Sequence, residues 1–164
     1  QSVAKRPIGT AIAASELAQR AHPALVHCLV GDGQDEVALR ASAPSHVRFL
    51  GALETDATAD AMRAADVVLL PSAREIFPNV VAEAMALGRA VVTVNAGAAP
   101  EIAGDAATLV EPANVEAMAA ALAELLDHPA RSAALGEKAR RRIVEHFALR
   151  QMEEGYLRVV RGEG

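Results

Sequence analysis

Aromatic residues are scarce in this chain of 164 residues: they make up 2% of it, and tryptophan is absent. A core must therefore be built from Ala, Val, Leu and Ile. The composition is 52% hydrophobic and 23% charged, which is typical of a globular protein and not of a disordered one. A chain of this length is expected to form one domain.

Cysteine is nearly absent as well, and Cys28 has no partner for an internal disulfide, so a cytoplasmic location is expected. No apolar run reaches the roughly 18 residues that a membrane-spanning helix needs, and the N-terminus has no signal-peptide layout. The formal net charge of -5 argues against nucleic-acid binding. The histidines show no metal-ligand spacing, so no metal site is predicted.

Short β-branched runs alternate with Ala-rich helical stretches, a pattern typical of βα units around a parallel sheet. The predicted strands cover residues 25–30, 47–50, 66–70, 90–94 and 108–110. The predicted helices cover residues 7–20, 34–42, 55–65 and 78–88, and a helical extension over 114–164 contains helices at 115–127, 131–146 and 149–161. The sequence thus predicts a three-layer α/β/α, Rossmann-like domain over residues 1–164.

The loops that follow four of these strands are candidates for a binding site. Open parallel sheets bind ligands at the carboxyl ends of their strands. The strands that end at Val30, Leu50, Leu70 and Val94 should therefore direct their following loops toward one edge, and we predict a nucleotide site there.

One loop and helix carry chemistry that suits a sugar nucleotide. Glu75 precedes the helix predicted at 78–88 and Glu83 lies inside it; a carboxylate accepts hydrogen bonds from paired hydroxyls of a ribose or hexose. A helix N-terminus offers free N–H groups and a positive dipole to a diphosphate. Pro78 has no N–H, so Asn79 and Val80 are the predicted backbone donors.

The spacing of the two glutamates does not by itself indicate a site, because the same spacing recurs in the C-terminal helices. The segment around Glu75 and Glu83 is what distinguishes this pair. Residues 65–88 read ADVVLLPSAREIFPNVVAEAMALG. This segment resembles the E-x7-E region of family-4-type retaining glycosyltransferases of the GT-B fold. Shorter stretches continue the likeness, namely VGDG at 30–33, VRFLG at 47–51, AVVT at 90–93 and LVEP at 109–112. The resemblance covers roughly residues 25–160.

The resemblance implies a role for each matched position. Glu83 would hold the ribose hydroxyls. Glu75 and Lys5 would be the catalytic residues: Glu75 would contact the transferred sugar, and Lys5 would contact the diphosphate. The implied donor-binding residues are Gly31, Leu50, Phe77, Pro78, Asn79, Val80 and Glu83.

The resemblance further implies that the chain is the donor-binding C-terminal half of a bacterial two-domain enzyme that uses a UDP- or GDP-sugar without a cofactor or a required metal. The N-terminal acceptor domain and the first strand of the sheet would lie outside residues 1–164. The chain alone is therefore expected to be inactive. Contact with the inner face of a membrane is expected only through the full-length protein.

Two other functions remain open at this point. A nucleotide-sugar epimerase would share the GT-B architecture but needs acid and base residues in the cleft. A non-catalytic module that binds a nucleotide or a protein is favoured by Ile76, which stands where the family usually has glycine.

Overall fold

The computed structural model describes residues 7–73 and 78–147 as an alternation of helices and parallel strands. The seven helices of these residues are α1 (Pro7–Gln19), α2 (Glu36–Ser42), α3 (Thr55–Ala64), α4 (Asn79–Ala86), α5 (Ala99–Ala103), α6 (Val115–Asp127) and α7 (Pro129–His146). The five strands of the same residues are β1 (His27–Val30), β2 (Val47–Gly51), β3 (Val67–Leu70), β4 (Ala90–Val94) and β5 (Thr108–Val110).

The strands of the described residues form two parallel sheets. In the first sheet β1 pairs with β2, with His27 opposite Val47. In the second sheet the order is β3-β4-β5, with Val67 opposite Ala90 and Val92 opposite Thr108. No strand of the described residues pairs with the second edge of β1 or of β3.

Strand β4 is the centre of the core, and all five of its residues are buried. Burial on both faces explains its continuous apolar run, as expected for an interior strand of a parallel sheet. Val92 and Val94 pack toward α1 and α6. Val91 packs with α4, α5 and α7 on the opposite face. The expected three-layer α/β/α arrangement is therefore confirmed.

Helix α7 is joined to the rest of the fold at two points. Gly136 packs so closely on the turn after α4 that a Cβ at this position would lie 2.1 Å from the Gly88 carbonyl oxygen. Six residues further on, the Arg142 guanidinium donates hydrogen bonds to the carbonyls of Ile102 and Glu101, both at 2.7 Å. These carbonyls lie near the end of α5, where the orphan groups of a helix need donors.

A buried hydrogen-bond cluster joins α1 to the first sheet. The Ser15 hydroxyl contacts Nδ1 of His27 at 2.9 Å and Nε2 of His46 at 3.1 Å, and it donates to the carbonyl of Ile12 at 2.8 Å. Ser15 lies on α1, His27 opens β1, and His46 directly precedes β2. The cluster therefore fixes α1 against both strands.

The structure corrects the sequence predictions at several element ends and in one whole element. The strand predicted at 25–30 begins at His27, and the helix predicted at 34–42 begins at Glu36. The helix predicted at 131–146 begins at Pro129 instead, because proline suits the first helical position, where its fixed φ fits and its lack of an N–H costs no bond. The five-residue helix α5 was not predicted. The predicted helix at 149–161 lies outside the described residues.

Candidate functional site

The loops after β1 and β2 meet at one edge of the first sheet. Gly31 and Gly51 have φ values of 115° and 72°, which L side chains rarely adopt. The Gly31 N–H donates to the Gly51 carbonyl at 2.8 Å. The two glycines therefore let these loops approach each other closely, beside the exposed side chains of Val30 and Leu50.

The end of β3 is fixed by a residue that the sequence analysis did not identify. The Thr93 hydroxyl, buried in β4, donates to the Leu70 carbonyl at 3.0 Å. Leu70 is the last residue of β3, so this bond positions the chain where it turns into Pro71 and Ser72. A signal was present in the sequence, because Thr93 is the one polar residue in the otherwise apolar run of β4.

Helix α4 begins at Asn79, directly after the buried Pro78. The Val81 N–H already donates to the Pro78 carbonyl at 2.9 Å. Helix geometry gives the N–H groups of Asn79 and Val80 no acceptor within the helix, and both residues are exposed. The two predicted backbone donors are thus the first two residues of the helix.

A single cavity of about 1280 Å³ brings together several of the predicted donor-binding residues. Gly31, Leu50, Pro78 and Val80 all line it, although they come from three separate parts of the sequence. Asn79 and Glu83 do not line this cavity. The structure therefore places four of these six predicted residues around one space and leaves the other two outside its lining.

Glu83 lies on the exposed surface of α4, as the fifth residue of the helix. Within residues 7–73 and 78–147 its carboxylate has no hydrogen-bond or ion-pair partner. A solvated carboxylate of this kind is free to accept hydrogen bonds from a ligand.

The described lining of the cavity is acidic at its carboxyl-edge mouth. Asp32, Asp35 and Glu36 line it there, whereas no lysine or arginine does among the described lining residues. Among the described lining residues, the positive charge that could attract an anion therefore comes from the helix dipole at the start of α4.

Three predicted site residues, Lys5, Glu75 and Phe77, lie outside the described residues. Within the described ranges, no three His, Cys, Asp or Glu side chains are grouped so that they could hold a metal ion. In the same ranges no helix has both the length and the apolar character that crossing a membrane would require.

Comparison with known proteins places this geometry in a family. The family model described as "Glycosyl transferases group 1" matches residues 9–128. The chain is 31% identical over 170 residues to a glycogen synthase of Mycobacterium tuberculosis, an alignment that covers 97% of this chain and 41% of that protein. It is 40% identical over 99 residues to an MMP alpha-(1->4)-mannosyltransferase of Mycolicibacterium hassiacum, covering 58% of this chain and 24% of that protein.

A solved structure agrees with these sequence relationships. HepE of Anabaena, crystallised in complex with UDP, superposes with a TM-score of 0.80 at 26% identity, and the match covers 94% of this chain and 45% of that one. The chain therefore spans less than half the length of each of these three proteins.

Proposed function

We propose, from the premise that the chain belongs to the family of glycosyl transferases group 1, that it is the donor-binding half of a retaining glycosyltransferase. The enzyme would transfer a hexose-type sugar from a nucleotide diphosphate sugar to an acceptor. The observation that carries the proposal is the convergence of Gly31, Leu50, Pro78 and Val80 on one cavity beside the start of α4. Ligands of open parallel sheets bind at this edge.

The donor would lie across this edge with each part next to a suitable group. The base would lie by Gly31 and Leu50, where the two loops approach each other. The diphosphate would lie at the start of α4, where the N–H groups of Asn79 and Val80 donate to it and the helix dipole favours its charge. Glu83, one turn further along the helix, would accept hydrogen bonds from the ribose hydroxyls.

The chemical step depends on stabilising the departing nucleoside diphosphate. Hydrogen-bond donors and positive charge aimed at the developing charge lower the barrier to its departure. We assign this role to the start of α4 together with Lys5, and we assign Glu75 to the transferred sugar. These groups supply the charge stabilisation from the protein itself, so the proposal includes no metal. Cleft closure and acceptor binding would need the second domain.

The test is calorimetric titration of the chain with UDP and with GDP, UDP being the nucleotide in the HepE crystal. Glu83→Gln removes the charge and keeps the shape of the side chain. We expect this change to weaken binding by about 1.5–3 kcal/mol, the magnitude of a hydrogen bond to a charged group. The matched control is Glu116→Gln, an exposed carboxylate in the first turn of α6 that does not line the cavity. The control should bind as the unmodified chain does.

Equal affinities of the Glu83 variant and the control would refute the ribose assignment. No binding of either nucleotide by the unmodified chain would favour a protein-binding module over a donor site. Analysis of the products formed by the full-length protein separates the transferase from an epimerase, which would return a changed nucleotide sugar and leave the acceptor unmodified.

A further inference from the structure

A hydroxyl group is buried at the one polar position of β4. Thr93 is only 1% exposed, and the other residues of the strand are alanine and valine. Burying a hydroxyl costs free energy unless it is hydrogen-bonded, and valine has nearly the same shape without that cost. The bond from Thr93 to the Leu70 carbonyl offsets the cost, but it exchanges a bond to water for one within the protein and adds little net stability. Core packing alone therefore does not explain the hydroxyl.

The Thr93 side chain lies on the face of the second sheet that α4 covers. Side chains alternate between the two faces of a strand, so Thr93 shares a face with Val91, which packs with α4. Leu70 packs against the same cluster of core residues. Thr93, Leu70 and Pro78 also line the cavity at the proposed donor site. The hydrogen bond to Leu70 therefore forms at the wall of this cavity, beside the start of α4.

The connection from β3 to α4 is held by a hydrogen bond at each end. At its first end, the Thr93 hydroxyl fixes the carbonyl of Leu70, the last residue of β3. At its second end, the Pro78 carbonyl accepts the Val81 N–H at 2.9 Å, which joins Pro78 to the first turn of α4. The second bond belongs to the backbone of the helix, whereas the first depends on one side chain. Thr93 is therefore the residue at which the position of this connection can be changed without altering α4.

Nucleotide binding and the alignment of the transferred sugar depend on different parts of this edge. The proposed function assigns the nucleotide to Gly31, Leu50, Glu83 and the start of α4, none of which takes part in the Thr93 bond. It assigns the sugar to the connection after β3, through Glu75. A misplacement of about 1 Å at a reacting centre can lower a rate by roughly 100-fold. Loss of the Thr93 bond should therefore act on the rate of transfer and not on nucleotide affinity.

We propose that Thr93 is a positioning residue for sugar transfer. Its hydroxyl acts through the Leu70 carbonyl and holds the end of β3 in place relative to the start of α4, so that the transferred sugar is aligned with the departing diphosphate. Thr93 itself makes no bond to the reacting atoms. This inference rests on the proposed function and adds to it a residue that controls the rate of the transfer step.

Two substitutions at Thr93 in the full-length protein test the proposal. Thr93→Val removes the hydroxyl and keeps the shape, whereas Thr93→Ser keeps the hydroxyl. We expect the valine variant to lower kcat by about tenfold or more, with the donor KM, the nucleotide affinity and the melting temperature nearly unchanged. The serine variant should restore most of kcat. The matched control is Thr108→Val, the same substitution at a half-buried position of the neighbouring strand β5 that does not line the cavity; it should leave kcat unchanged.

Each other outcome contradicts the proposal in a recognisable way. An unchanged kcat in Thr93→Val overturns it, and so does a serine variant that is as slow as the valine variant. A valine variant that loses kcat, nucleotide affinity and melting temperature together has a structural defect, which also overturns the positioning role. An unmodified full-length protein that transfers no sugar refutes the proposed function and this inference with it. An active protein whose valine variant is unimpaired refutes the positioning role alone.

Discussion

Acidification should weaken the fold through the cluster of Ser15, His27 and His46. The Ser15 hydroxyl has one hydrogen, which it donates to the Ile12 carbonyl. It must therefore accept hydrogen bonds from Nδ1–H of His27 and Nε2–H of His46. Each ring can make its bond in the neutral form. A second proton would charge a ring within the buried cluster, where Nδ1 of His46 has no partner among the described residues.

Burial sets the direction of both pKa shifts. Desolvation, followed by the proximity of His46, lowers the pKa of His27 from 6.5 to about 4. Burial also lowers the pKa of His46; Glu16 on α1 opposes that shift, and Arg48 on β2 adds to it. The folded protein therefore disfavours a proton that the unfolded chain accepts readily.

The sign of the effect on stability follows from this difference. Above pH 6.5 both states hold His27 neutral, and its contribution to stability is complete. Between pH 6.5 and about 4 the unfolded chain binds more protons, so stability falls as the pH falls. A shift of one pKa unit corresponds to about 1.4 kcal/mol. The shift of the His27 pKa from 6.5 to about 4 therefore lowers the free energy of unfolding by roughly 3 kcal/mol at acidic pH, for His27 alone.

Urea unfolding between pH 7 and pH 4 measures this loss, and His27→Asn tests its origin. The asparagine amide can replace the Nδ1–H donor but does not titrate. Subtracting the curve of stability against pH of the variant from that of the unmodified chain removes the contribution of the carboxylates, which both share. Between pH 6.5 and 5, about 2 kcal/mol of the loss in the free energy of unfolding should disappear in the variant. The control is His128→Asn, an exposed histidine outside the cluster, which should keep the full pH dependence. A His27 variant with an unchanged slope would refute the reasoning.

Three further predictions concern the site and the packing. UDP titrations in EDTA and then in Mg²⁺ or Mn²⁺ should give the same affinity; a tenfold gain with metal would reveal a ligand that the proposal omits. Gly136→Ala should lower the free energy of unfolding in urea by roughly 1–3 kcal/mol, because its Cβ would meet the Gly88 carbonyl, whereas Gly33→Ala meets nothing within 4 Å and should cost far less. Residues 1–164 alone should transfer no sugar, in an assay that gives the isolated chain and the full-length protein the same donor and acceptor. Transfer by the isolated chain at a rate comparable with that of the full-length protein would refute the half-enzyme proposal.

The sequence predicted the strands well where local pattern and burial agree. β4 was predicted at 90–94 and observed at Ala90–Val94, because a strand buried on both faces is a continuous apolar run bounded by polar residues. α5 was not predicted because five residues are too few to show helical periodicity. Pro129 was interpreted as a residue between two helices. Proline occurs both just after a helix and at the first position of one, and only the observed backbone shows that Pro129 begins α7.

The site was predictable to the extent that it depends on topology. The order of elements predicted that the loops after the strands meet at one edge, because the carboxyl ends of parallel strands lie together. The individual residues came from other sources: the family resemblance implied Gly31 and Leu50, and the start of a helix after Pro78 indicated Val80. The Thr93 bond to Leu70 and the cluster at Ser15 were not predicted. They join residues 23 and 31 positions apart, and such contacts depend on strand register and helix rotation, which the sequence pattern does not specify.

The contacts of α7 bear on where the smallest independently folding unit ends. The family match stops at residue 128, before α7 begins. Ala139 and Ile143 of α7 nevertheless complete the core under α4 and α5, and Arg142 supplies donors to the end of α5. A fragment cut at the family boundary would expose that core and leave those carbonyls without donors. The folding unit is thus longer than the family match, and its C-terminal limit lies beyond Ile143.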